Sequence, residues 1–230
     1  MSRPDVARAA HDGTAHLPAE ETTAAIADSG LIAVLRSGTA QHYRAVTEAL
    51  VEAGVRTLEI TLTAHGALSA LEHIAKDYHG SDVLVGAGTV VDATQAEMCL
   101  EAGATFLVSP AYCADVLAVA RIAETAVYPG AMTPTEILTA HRGGASAVKL
   151  FPAAALSPRY LLDVHAPLPE ITIMPTGGID IDDIPAWIRA GAGAVGLGSP
   201  LLGRAVDDGP APDLRERARR AVAAVAEARA

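Results

Sequence analysis

The stretch "RGGASAVKL", residues 142–150, sets a lysine inside an apolar run, and its frame recurs as "EAGVRTLEI" (52–60), "EAGATFLVS" (101–109) and "RAGAGAVGL" (189–197). Each copy reads as a helix end closed by glycine, a short turn and then a strand. Amphipathic, alanine-rich stretches such as "AQHYRAVTEALVEAG" (40–54) precede the copies, so the repeating unit is a helix plus a strand. Apolar runs of strand length lie at 31–36, 56–62, 83–88, 105–110, 125–131, 147–152, 171–178 and 194–199, eight in all. Strands this apolar, alternating with helices, belong to a parallel sheet covered on both faces. Eight of them predict an α/β fold of the (β/α)8 TIM barrel type. A doubly wound open sheet is the alternative. It is weakened by the lack of an early G-x-G-x-x-G, since "GAGTV" (86–90) reads better as a tight turn.

The barrel is expected to occupy residues 19–230 as a single domain with an N-terminal helical extension, behind a polar tail over 1–18. "PAEETTAAIADSG" (18–30) predicts a helix ahead of the first strand, and "PDLRERARRAVAAVAEARA" (212–230) a terminal helix. Half of the 230 residues are hydrophobic, enough for a substantial core. A net charge of -10 without a basic stripe argues against a nucleic-acid surface, while an anionic small molecule stays open if positive groups gather locally. Cys99 and Cys113 form no framework and read as reduced thiols. The N-terminus lacks a signal peptide's apolar core, and no apolar run reaches the roughly 18 residues of a membrane helix. A soluble cytoplasmic protein with no membrane partner is expected.

Five residues after the shared glycine stand Glu59, Val108, Lys149 and Gly196. Equivalent strand positions point the same way, so Glu59 and Lys149 face one side together. Opposite charges at equivalent buried positions of the second and sixth strands are poor core filler, and they suit a lumen site near the strands' C-terminal ends. The competing reading is a structural ion pair. Desolvation favours the neutral form of a buried amine, which is the form that attacks a carbonyl carbon to make a Schiff base. A neighbouring carboxylate then shuttles protons through carbinolamine formation, dehydration and the carbon–carbon bond step. Together the two suggest an imine-forming lyase.

A phosphate subsite has its own candidates. "PTGGI" follows the seventh strand and "GLGSPL" the eighth, the two loops that often cradle phosphate in such barrels; Gly177, Gly178, Gly198 and Ser199 are its residues. Ordinary turn glycines are the competing account. The eight histidines show no metal-ligand spacing, so no metal or other cofactor is expected; His65, just past the second strand, reads as a loop histidine within reach of the mouth.

With these residues in place the chain resembles the class I 2-keto-3-deoxy-6-phosphogluconate (KDPG) and 4-hydroxy-2-oxoglutarate aldolases. The likeness spans about residues 25–205 and rests on "IAVLR", "GVRTLEITL", "VGAGTV", "SP", "YPGAMTPTE", "VKLFPA", "PTGGI" and "GLGS" in that order. The resemblance implies a barrel, usually trimeric, that cleaves a 2-oxo-4-hydroxy acid to pyruvate and an aldehyde without a metal. It implies Lys149 as the Schiff-base lysine and Glu59 as proton acceptor and donor. Thr89 would bind the pyruvyl carboxylate, Arg36 would lie beside Glu59, and Pro110 and Phe151 would line the pocket. Thr176 would orient the substrate hydroxyl, with Gly177, Gly178 and Ser199 on the distal phosphate.

Two departures stand out. The family commonly reads "TLR" where this chain reads "TLT", so Thr63 replaces an arginine that clamps the substrate carboxylate. "SPAY" stands where "SPG" is usual, which adds a Cβ near the pocket. The leading expectation is a class I aldolase acting on a phosphorylated 2-oxo acid. Behind it stand the same imine used for decarboxylation, dehydration or aldol addition, and a non-catalytic barrel that binds a phosphate ligand.

Overall fold

The computed structural model describes residues 17–230. Its strands are β1 (Leu31–Leu35), β2 (Thr57–Thr61), β3 (Leu84–Gly88), β4 (Phe106–Val108), β5 (Ala126–Tyr128), β6 (Gly130–Ala131), β7 (Val148–Leu150), β8 (Ile173–Pro175) and β9 (Val195–Leu197). Every pairing is parallel, in the orders β5-β4-β3-β2-β1-β9 and β6-β7-β8. The single strand expected over 125–131 divides at Pro129, which has no N–H to give the ladder. Pro129 still accepts the Lys149 amide at 3.0 Å, so β5 and β6 continue one another. At the other side a Thr176–Gly196 bridge joins the end of β8 to β9. The sheet therefore curls, with helices packed along its outside.

The four repeat glycines have a common physical cause. Gly54, Gly103, Gly144 and Gly191 have φ between 90° and 101°, the left-handed region that turns the chain from each helix into the next strand. Between strands, amphipathic helices turn one stripe inward; Tyr43–Glu52 buries Tyr43, Val46, Thr47 and Leu50 on a helical period. Side-chain caps fix helix starts elsewhere: the Gln95 amide donates to Asp92 Oδ1 at 2.8 Å, and Thr133 with Glu136 forms a capping box.

Strand alternation sorts the buried residues into two sets. A large one fills the layer between sheet and helices. A smaller one, including Ile32, Leu84, Phe106, Tyr128 and Met174, fills the interior of the curl. Ile26 of the helix Ala19–Ser29 joins that inner set, and Thr23 Oγ1 lies 3.1 Å from the Tyr128 hydroxyl. Burying Ile26 fully contributes about 1.5–3 kcal/mol. The helix expected before the first strand thus closes the N-terminal side of the interior, which leaves the C-terminal side for chemistry. The terminal helix, Pro212–Arg229, also forms as expected. Its Arg229 donates to the carbonyls of Ala27 and Asp28, capping the first helix's last turn. All of the tail expected over 1–18 except Leu17 and Pro18 falls outside the described residues. Among the described residues no helix is long and apolar enough to cross a membrane, and Cys99 and Cys113 are free thiols.

Candidate active site

Glu59 stands at the centre of β2 between Val34 of β1 and Gly86 of β3. Lys149 stands on β7 between Gly130 and Met174. Across the interior, Lys149 Nζ donates to Glu59 Oε1 at 3.4 Å, with residue exposures of 4% and 1%. Two charges taken out of water lose hydration that their mutual attraction does little more than return, so the pair adds little to stability. The Phe151 ring also lies near the ammonium, its centroid 5.4 Å from Nζ.

Glycine lies beside each of these polar groups, and at Gly88 and Gly196 it clears them directly. Glu59 pairs with Gly86, Lys149 with Gly130 and Thr176 with Gly196, so each polar inward residue has a neighbour without a side chain. Gly88 clears the carboxylate itself: a Cβ there would stand 2.6 Å from Glu59 Cγ and 2.7 Å from Cδ. At Gly196 it would meet Thr176 Cγ2 at 2.8 Å, and at Gly130 it would strike the Pro110 carbonyl.

Above the pair opens a cavity of about 320 Å³. Of the twelve residues expected at the site, Arg36, Lys149, Phe151, Thr176, Gly177, Gly178, Gly198 and Ser199 line it. Glu59 lies beneath, in contact with Lys149. Gly177 and Gly178 have φ of 91° and 76°, and a Cβ on Gly178 would run into Ala154, so this turn admits only glycine. Pro110 is half-buried beside Gly130 and does not line the cavity. His65 is exposed and lines an outer groove with Gly66 and Ser69. Unforeseen wall residues are Val34, Pro200, Leu202, Gly203 and Val206. The last four follow the eighth-strand loop, and their apolar or turn character gives no mark in a single sequence.

The mouth is polar. Arg36 Nη2 donates to Thr89 Oγ1 at 3.3 Å, and Thr89 holds φ of 60°, a conformation that costs a β-branched residue energy. Thr63 is exposed, with its Oγ1 3.1 Å from Thr61 Oγ1. Thr61 spends its one hydroxyl hydrogen on the Leu35 carbonyl, at 2.9 Å. The proton between the two threonines therefore comes from Thr63, whose outward side presents lone pairs. An anion at the mouth finds its donors on Arg36.

The chain is similar to known proteins along most of its length. Residues 23–211 match the family model described as "Aldolase: KDPG and KHG aldolase". The chain is 35% identical over 172 residues to the 2-dehydro-3-deoxy-6-phosphogalactonate aldolase of Escherichia coli K12, covering 74% of this chain and 83% of that one. It is 33% identical over 165 residues to the 2-dehydro-3-deoxy-phosphogluconate aldolase of Pseudomonas aeruginosa, covering 71% and 74%. A KDPG aldolase structure from Legionella pneumophila, with pyruvate captured as a covalent carbinolamine, superposes with a TM-score of 0.75 at 26% identity, covering 89% and 96%. The chain belongs to the KDPG and KHG aldolase family, and it is a lyase.

Proposed function

We propose that this protein cleaves a phosphorylated 2-oxo-3-deoxy-4-hydroxy acid to pyruvate and an aldehyde through an imine on Lys149. The observation that carries the reading is the buried Nζ–Oε1 contact of 3.4 Å beneath a cavity whose upper wall is glycine backbone. In this reading the Lys149 amine attacks C2, and loss of water leaves an imine. Glu59 takes the proton from the 4-hydroxyl as the C3–C4 bond breaks, and the electron pair moves into the imine to give an enamine. The aldehyde departs, Glu59 returns the proton to C3, and water releases pyruvate from the lysine. The imine is the electron sink, so the sequence of steps as written calls on no metal.

Arg36 and Thr89 hold the substrate carboxylate, the task that Thr63 is oriented not to perform. Phe151 bounds the three-carbon end, Thr176 orients the 4-hydroxyl, and the backbone of Gly177, Gly178, Gly198 and Ser199 takes the phosphate. Relatives named for the gluconate and the galactonate acid match the chain almost equally, at 33% and 35% identity, so both C4 epimers are candidates. We further read β1–β9 as one eight-stranded (β/α)8 barrel spanning residues 19–230, the assembly as a trimer and the location as the cytoplasm. The resemblance described above supports these three.

Incubation with pyruvate and borohydride tests the reading by mass. One reduced pyruvyl group should appear on the wild type and none on Lys149→Ala. No adduct on the wild type, or one that survives the substitution, would refute the imine. Pyruvate release from the two epimeric phosphorylated acids then assigns the substrate. A second reading, the same imine serving a different 2-oxo acid, draws on Thr63; it gains if neither epimer is turned over while pyruvate is still trapped.

A further inference from the structure

We infer that Arg217, in the C-terminal helix and outside the cavity wall, is a positioning residue for the phosphate end of the site. The inference rests on the reading that a substrate phosphate sits at Gly198 and Ser199.

The wall after β9 is a short, tight excursion of the chain. Ser199–Leu202 makes one helical turn that closes on itself: the Leu202 amide donates to the Gly198 carbonyl at 2.9 Å and the Gly203 amide to Ser199 at 2.7 Å. A turn this short leaves its last carbonyls without partners of its own, so their direction is set from outside it. Arg217 supplies the missing donors. Its Nε donates to the Leu201 carbonyl at 2.8 Å and its Nη2 to the Leu202 carbonyl at 3.1 Å. The remaining nitrogen is paired with Asp213 one turn earlier, which fixes the guanidinium plane.

The geometry reaches the cavity directly. Leu202 and Gly203 both line it; the fork holds the Leu202 carbonyl directly, and that carbonyl belongs to the peptide that leads into Gly203. Gly203 has φ of 55°, and a Cβ there would stand 2.9 Å from Arg217 Nη2, so the guanidinium packs against the backbone whose other contacts form the wall. The helix that carries Arg217 is anchored independently, through Arg215 to Glu52, Arg220 to Asp182 and the buried Leu214, Ala218 and Ala221. A rigid helix thus fixes the carbonyl end of a turn whose Leu201 and Leu202 side chains are buried in the core. A planar fork with two donors in fixed relation does this where a lysine, a single point donor, does not.

A phosphate held by backbone groups responds steeply to displacement of that backbone, whereas the lysine chemistry at the opposite end of the cavity does not depend on it. Arg217→Ala is therefore expected to raise KM for the phosphorylated acid about tenfold, the loss of roughly one charge-assisted contact. Its kcat, its KM for the same acid without phosphate, and its pyruvate trapping by borohydride should stay close to wild type. Arg217→Lys should fall between, and it keeps the test open if the alanine protein does not fold. Parallel rises in KM for both acids would show a merely structural role and overturn the inference. A wild type that prefers the phosphorylated acid, with neither variant shifting that preference, would also overturn it and leave the phosphate reading standing. Equal KM values for the two acids in the wild type would overturn the phosphate reading itself, and the positioning role with it.

Discussion

Gly88→Ala separates the geometry of the ion pair from its chemistry, because it changes neither charged residue. The added Cβ would stand 2.6 Å from Glu59 Cγ and 2.7 Å from Cδ, where ordinary contact begins at 3.4 Å, and closer still to Oε1, the atom that meets Lys149, so the carboxylate must retreat by about 0.8 Å or more. The Glu59 side chain has to move from Cγ outward, and no backbone atom is among the three nearest contacts. The stability cost of overpacking should fall at the low end of about 1–3 kcal/mol. Replacing glycine within a strand returns about 0.5–1 kcal/mol of backbone entropy, so the two nearly cancel. Catalysis has no such compensation. A shift approaching 1 Å in a proton-transfer group costs on the order of 10–10² in rate. Steady-state pyruvate release, beside urea unfolding of the same preparation, measures both. The expected result is a kcat lowered by that factor with an unfolding midpoint near wild type. A variant that folds and keeps kcat within a factor of about two would refute the claim that carboxylate placement limits turnover.

Other consequences follow from the same contacts. Glu59→Gln should lower kcat by about 10²–10⁴ with little change in KM. Lys149→Ala should abolish trapping and also lower the urea midpoint, since a buried carboxylate left without its partner costs about 3–5 kcal/mol; unchanged stability would mean that Glu59 finds another partner. Arg36→Ala should raise KM for the 2-oxo acid by roughly 10–10², and Thr63→Arg in that background should recover part of it. No recovery at all would argue against a shared carboxylate subsite. Burial pushes the Cys99 thiol from 9.0 up to about 12, and it also raises the Tyr128 phenol. Because the folded state holds these protons more tightly, their contribution is complete below pH 9 and is lost as pH climbs toward 12. Urea midpoints measured from pH 8 to pH 11 should fall less steeply in Cys99→Ala than in the wild type.

The fold was legible because its unit repeats. Four copies of one glycine-turn-strand frame exposed the alternation of helix and strand, and the shared offset placed Glu59 and Lys149 on one side, where they meet at 3.4 Å. The break at Pro129 was harder to see: a proline inside an apolar run reads equally as continuation or end, and only the Lys149 amide bond to its carbonyl shows that the strand carries on. The cavity's Gly177, Gly178, Gly198 and Ser199 could be read from the loop positions after the last two strands, and Thr176 from the resemblance. Leu202 could not, since it sits in a short turn whose carbonyls are bonded from a helix further along the chain, and Val206, in the next helical turn, carries no mark of its own. Thr63 was visible as a departure, but the direction of its hydroxyl depends on Thr61 and Leu35, a contact across strands.

The pairing of polar residues with glycine explains why such a site is hidden strand by strand. Read alone, Gly86, Gly130 and Gly196 are weak strand residues, and Glu59, Lys149 and Thr176 are misplaced polar ones. Register turns each liability into half of a pair: Glu59 beside Gly86, Lys149 beside Gly130, Thr176 beside Gly196. A one-residue slip of β7 would send Lys149 to the helix layer and bring Val148 or Leu150 inward. The carboxylate of Glu59 would then be buried and unpaired. That penalty opposes the slipped register, so the pair that contributes little as a bond still helps specify the arrangement on which its chemistry depends.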